Sequence, residues 1–252
     1  MQRRTKKTLI FVLGLSLVLV SFGCAPITKT VNPQFEMRAK DIKTAGFLSP
    51  DIKVYEFTAG GMRELRDDWC AKGKENVQRA MLECLREKPF EVKPITIDQQ
   101  MEEEMEDIYA LYRAVSASII VHTLDTRGKN QFPEKLKNFD YSIGSVENIL
   151  KKYGGDALIF VAGFDEISTA GRQALKAVGI IAGVAAAAAG VGGAVIIPRS
   201  GITMLSVALV DSSGTILWYN TKGSAGGYDL RDPQSATTFV RETLSDYPGA
   251  KK

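Results

Sequence analysis

Between Trp69 and Leu85 the apolar and small residues Trp69, Gly73, Val77, Ala80, Met81, Cys84 and Leu85 recur at threes and fours, with charged residues between them. That spacing puts them on one side of a helix, which the pattern predicts over Arg63 to Lys88, stopped by Pro89. A second stripe runs through Met101, Met105, Ile108, Tyr112, Val115, Ile119 and His122. Thr96 and Gln99 form a capping-box pattern ahead of it. The acids Glu102, Glu103, Glu104, Glu106 and Asp107 fall in its first turns, where they oppose the positive end of the helix dipole and face water. Short β-rich runs lie between and after these stripes: Ile52 to Phe57 before a Gly60-Gly61 turn, Phe90 to Lys93, and the continuous apolar run Ala157 to Ala162, which reads as a central strand covered on both faces.

The clearest hairpin signal is Ile202 to Val210, the polar turn Asp211 to Gly214, and Thr215 to Asn220. Gly223, Gly226 and Gly227 form an exit. A last helix, Asp232 to Leu244, turns Ala236, Phe239, Val240, Thr243 and Leu244 inward. Val146 to Tyr153 reads as a short helix closed by Gly154 and Gly155. Before it lies a long connection from Asp125 to Ser145, which holds Phe132, Phe139 and Tyr141, either as pins to the core or as a functional loop. This order predicts an α+β fold, a single mixed sheet with helices packed on it.

The first residues change the picture of where the chain works. Arg3, Arg4, Lys6 and Lys7 precede the apolar run Leu9 to Val20, then Ser21, Phe22, Gly23 and Cys24. This is the plan of a bacterial lipoprotein signal. Residues 1–23 would be removed and Cys24 would carry acyl chains, several of which anchor durably where one does not. By resemblance to bacterial lipoproteins, Ala25 after that cysteine implies the outer membrane, facing the periplasm. Residues 24–50, with Pro26, Pro33, Pro50 and no sustained period, read as a tether. The folded domain is expected over 51–247, with an apolar insertion at 172–200.

Charge then excludes one class of partner. The formal charge of +3 includes the four cations of residues 1–23, which hold no acid, so the mature chain stands near −1. A nucleic-acid partner loses its usual argument. If Cys24 is acylated, Cys70 and Cys84 remain. On one helix their fourteen-residue spacing corresponds to about 21 Å, too far for a disulfide. Pairing would need a break near Gly73.

Candidate chemistry is sparse. His122, the single histidine, falls on an apolar stripe, and the chain has neither a Gly-x-Ser-x-Gly elbow nor a Walker loop. Asp165 and Glu166 are neighbours on a strand, so they point to opposite faces. No catalytic residue, metal ligand or cofactor is assigned, and the chain reads as non-enzymatic. Carboxylate-only hydrolysis, whose residues can lie far apart, is a weaker third reading.

Val178 to Ile197 is the unusual segment: eight Val or Ile, seven Ala and five Gly, without a charge. Its length suits a membrane span. On an insertion scale the β-branched residues favour entry by about 2–5 kcal/mol, and the five glycines each cost about 0.5–1 kcal/mol in a helix, so the balance is near zero. Gly179, Gly183, Ala187, Gly190 and Ala194 align as a small-residue face of the kind that lets helices approach closely. The segment is either a glycine-punctuated soluble insertion or a membrane and assembly face.

With Cys24, the strand Ile52 to Phe57, Asp68-Trp69 and Glu75-Asn76-Val77 on the first long helix, the Asp140 to Gly144 segment and the hairpin from Leu209-Val210-Asp211 to Leu217-Trp218, the chain resembles CsgG-like periplasmic lipoproteins and the related TolB N-terminal domain. The resemblance spans about residues 50 to 246 in element order. It implies a protein that regulates envelope enzymes, serves as an accessory or scaffold for envelope proteins, or builds a secretion channel as a homo-oligomer. It transfers no functional residue. The first expectation is a lipid-anchored accessory protein that contacts the membrane through its lipid and binds envelope proteins. The alternative is a self-assembling channel subunit that uses residues 178–197.

Overall fold

The computed structural model describes residues 30–124, 130–188 and 201–249. In chain order the elements are α1 (Phe35–Arg38), a 3-10 turn (Ala39–Asp41), β1 (Thr44–Phe47), β2 (Asp51–Phe57), β3 (Arg63–Leu65), α2 (Asp67–Leu85) and β4 (Glu91–Pro94). A second 3-10 turn (Gln99–Met101) precedes α3 (Glu102–Thr123), α4 (Pro133–Lys137), α5 (Glu147–Tyr153), β5 (Ala157–Ser168), α6 (Ala170–Ala188), β6 (Ile202–Asp211), β7 (Ile216–Ala225) and α7 (Pro233–Thr243). The architecture is α+β, a single mixed sheet with helices on both faces.

β5 organises the sheet. One edge pairs antiparallel with β6 along nine positions, and β6 pairs with β7 through the predicted hairpin. The other edge is shared, with β1 parallel to Ala157–Ile159 and β2 parallel to Ala162–Ser168. β1 and β2 thus run as one line along β5, with Leu48, Ser49 and Pro50 opposite only Phe160 and Val161. One residue too many on one side is a bulge, and Pro50 has no N–H to offer the ladder. β4 extends the sheet beside β1, and β3 extends it beside β2.

Alternation along β5 feeds two cores. Ala157, Ile159 and Val161 face α2 and α7, where Val77, Met81, Leu85, Phe239 and Val240 close the layer. Leu158 and Phe160 face α3 and α5, meeting Ile108, Tyr112, Ile119, Ile149 and Leu150. The stripes read from the sequence are these buried faces. Asp232 caps α7 by accepting from Ser235 N, and Asp211 holds the hairpin turn by accepting from Ser213 N and Thr215 N.

Three expectations are corrected, and the connection after α3 is then resolved. The folded domain includes residues 30–50: Val31 bridges to Trp218 on the outer edge of β7, Ala45 and Phe47 are fully buried in β1, and Leu48 is fully buried just after it. The strand was hidden by its shortness and by the prolines around it. Arg63–Leu65 is strand, not helix, because it pairs antiparallel with Tyr55–Phe57, and α2 starts at Asp67. Asp98, not Thr96, supplies the cap before α3, accepting from Gln100 N. The connection after α3 contains the short helix α4 and buries Phe139 and Tyr141, with Phe132 exposed.

Cys70 and Cys84 lie on the one helix α2, and both are free. Gly73 sits where α2 crosses β2; a Cβ there would press on Val54 and Ile52. The glycine serves close packing and the helix does not break.

Candidate interaction surface

At one end of the sheet the chain leaves and returns at the same place. β5 ends at Ser168, and Thr169 N donates to Phe57 O, next to the β2–β3 turn. Thr169 Oγ1 accepts from Arg172 N and so opens α6. The chain comes back at Gly201, whose N donates to Ser168 Oγ, and Thr203 then pairs with Asp165. A side chain at Gly201 would collide with the Glu166 carbonyl oxygen, so this closure needs glycine. β5 and β6 are therefore a hairpin whose connection is an excursion over residues 169–200.

The root of α6 is clamped. The Arg172 guanidinium lies 3.7 Å from the centre of the Phe57 ring and its Nη1 donates to Thr58 O at 3.1 Å. Beyond Arg172, Gln173 donates to Ser168 O and lines a cavity with Lys176, Tyr228 and Asp229. Leu175, Val178 and Ile180 are 50%, 63% and 44% exposed. Met62, in the turn between β2 and β3, and Leu65 on β3 are also exposed near the same end of the sheet. Leu175 and Val178, three apart, share one face of the helix, whereas Ile180 lies on the opposite side.

Of the residues singled out for assembly, Gly179, Gly183 and Ala187 fall on α6 at intervals of four. Gly190 and Ala194, like Cys24 and the whole lipoprotein signal, lie outside the described residues. Among the described residues no helix is long and apolar enough to cross a membrane. Of the apolar segment, the described residues 178–188 are helical and about 16 Å long.

Beneath the excursion sit two carboxylates on opposite faces of β5, as their adjacency predicts. Glu166 accepts from Ile202 N and pairs with Arg63 at 3.2 Å. Asp165 is fully buried on the other face, bonded to Thr203 Oγ1 at 2.7 Å and accepting from Leu230 N at 2.8 Å. Burial pushes its carboxyl up to about 6 against those two hydrogen bonds. Thr203 has one hydroxyl proton and a second acceptor within reach, Tyr228 O at 3.3 Å. A neutral Asp165 that donates to Thr203 Oγ1 lets Thr203 donate to Tyr228.

This geometry gives a pH dependence. The folded-state pKa lies above the ordinary value of 3.8, so the folded chain holds a proton that the unfolded chain has lost. The contribution of Asp165 to stability therefore falls as pH rises from about 4 to about 6, by about 2–3 kcal/mol. In Asp165→Asn the amide oxygen accepts from Leu230 N and the NH2 donates to Thr203, which mimics the neutral acid. Urea unfolding at pH 4, 6 and 8 should show the slope flattened in the variant and its stability raised at pH 8. An unchanged slope would show that Asp165 is not its source.

His122 is half-buried on α3, its Nδ1 3.4 Å from the Tyr141 hydroxyl and its ring against Phe132. It anchors the connection after α3 by these contacts. Among the described residues no group of three or more His, Cys, Asp or Glu side chains is placed to hold a metal ion.

The class that fold and surface define is an α+β domain with one mixed sheet and a helix clamped to its end by Arg172. No family model matches the sequence, and no curated protein matches it. Solved structures with a likeness include the PelC dodecamer from Paraburkholderia phytofirmans, 10% identical, with 81% of this chain and 86% of that chain covered and a TM-score of 0.30. A variant of the same dodecamer in another crystal form is 9% identical, with 81% and 87% covered and a TM-score of 0.31. Likeness of this degree carries no inference about this chain.

Proposed function

We propose that this chain is a lipid-anchored, non-catalytic protein of the bacterial envelope that acts by binding other envelope proteins through the end of the sheet bearing α6. The observation that carries the reading is the helix itself: clamped at Arg172 and exposing Leu175, Val178 and Ile180 beyond it. A helix held firmly at one end and exposing apolar side chains suits capture of a partner surface. The lipoprotein-like signal ending at Cys24 and the near-neutral charge of residues 24–252 support the same reading, as does the resemblance to CsgG-like lipoproteins read from the sequence. Anchoring is tested by intact mass and fractionation. The membrane-extracted protein should lack residues 1–23 and carry acyl mass, and Cys24→Ala should move at least nine-tenths of it to the soluble fraction or stall its processing. An unmodified, soluble full-length chain would remove the anchor from the proposal.

The second reading is a self-assembling subunit, favoured by the spacing of Gly179, Gly183 and Ala187 on α6. The mass of the detergent-solubilised protein separates the two. A closed homo-oligomer supports self-assembly, and a monomer or a hetero-complex supports the accessory role.

A further inference from the structure

On the α3 side the sheet is covered only in part. Leu158 and Phe160 of β5 are sealed beneath α3 and α5, whereas Ala162 and Phe164, further along the same face, are half-exposed. The uncovered stretch is the floor of a groove of about 750 Å³, bounded on one side by Tyr109 and Arg113 of α3 and crossed by β2, β5 and β6. That volume lies within the range of small-molecule sites, about 300–1,000 Å³.

The lining combines an apolar floor with an excess of positive charge. Phe164 and Met204 supply the floor, and Lys53, Arg63, Lys74 and Arg113 reach it from four different elements. Two carboxylates face these four cations. Asp51 is 3.0 Å from Arg113 and 3.6 Å from Lys53, and Glu166 is 3.2 Å from Arg63. Two positive charges are left over, in a concavity whose low-dielectric floor strengthens their field.

We propose that this groove binds a phosphate monoester with a flat apolar body. Such a phosphate carries about −1.5 to −2 charges near neutral pH, which matches the surplus. Arginine and lysine at the rim suit its oxygens, the first through paired N–H donors and the second as a point charge. The organic body lies on the Phe164 ring and the Met204 thioether, apolar surfaces that a bare inorganic ion would not use. The Tyr109 phenol, pushed up to about 12 by burial and donating to Ser49 O, stays protonated and adds no negative charge to the rim. This site is independent of the α6 surface and of the anchor.

The test is titration calorimetry of the full-length protein in detergent at low salt, with 1-naphthyl phosphate, 1-naphthol and inorganic phosphate as probes. The expected result is saturable binding of 1-naphthyl phosphate with Kd below about 1 mM, at least ten-fold tighter than either other probe. Lys53→Glu, at an exposed position, should weaken it at least ten-fold and Phe164→Thr at least five-fold. Lys93→Glu, on β4 outside the groove, should change it less than two-fold. Absence of saturable binding overturns the proposal, as does equal affinity for inorganic phosphate or an equal loss in the Lys93 variant. Should Phe164→Thr fail to fold, Lys53→Glu and the probe series decide the matter alone.

Discussion

Replacing residues 174–199 with a six-residue Gly and Ser linker should leave a cooperatively folded domain whose partner or self-association is abolished. The chain leaves β5 at Ser168 and returns at Gly201 within one hydrogen bond, and Asp165 is already paired with Thr203. The linker therefore has little distance to cross. Arg172 and its stack on Phe57 are retained, and from Gln173 to Val178 the excursion buries no residue in the domain. Thermal unfolding should shift by no more than about 4 °C, the equivalent of roughly 1 kcal/mol or somewhat more in a domain of this size. Cross-linked or native-mass complexes of the acylated protein should disappear, and Gly183→Leu should reproduce the loss if helices meet at that face. Should the deletion unfold the domain, α6 is a core element. If complexes survive it, the interaction surface lies elsewhere.

The largest loss of stability is expected from Phe160→Ala. Phe160 is fully buried, stacked on Tyr112 with ring centres 4.8 Å apart and met edge-on by Tyr109 at 5.8 Å. Truncation removes the ring and leaves a cavity that α3 cannot close, because its stripe is also held by Ile108 and Ile119. The cost should be about 3–5 kcal/mol, against a total of about 5–15 kcal/mol for a domain. Four residues along the same strand and face, Phe164→Thr should cost only about 1 kcal/mol, since the ring is half-exposed and threonine suits a strand. Urea midpoints of the two variants measure the contrast. Equal losses would mean that the groove floor is packed as tightly as the core.

Legibility in the sequence followed the length and period of each element. The two long helices, the central strand, the β6–β7 hairpin and α7 were readable because burial on one face repeats a stripe or an alternation many times over. Thr44–Phe47 was not readable: it is four residues of small and mixed type, and only its position between β4 and β5 makes it a strand. Arg63–Leu65 has three exposed side chains and owes its state to pairing with β2. Local propensity carries no trace of either cause. The apolar stretch near residue 178 was visible, yet composition left open whether it belonged to the core. What ties the start of α6 to the sheet is Arg172 on Phe57, a contact between residues more than a hundred positions apart. The groove was hidden for the same reason. Its four cations come from β2, β3, α2 and α3, and no spacing in the chain announces that they meet.

The excursion between β5 and β6 also sets an order of events. Closing a loop becomes harder with the logarithm of its length, by about 0.6 kcal/mol per doubling. The β6–β7 turn is four residues long, whereas the β5–β6 connection is about eight times longer, a difference of about 1.8 kcal/mol in chain entropy. β6 therefore meets β7 early and its other neighbour late, although β5 is the strand on which the whole sheet depends. Shortening the excursion beyond Arg172 would hasten folding, because less chain has to be ordered before β6 meets β5.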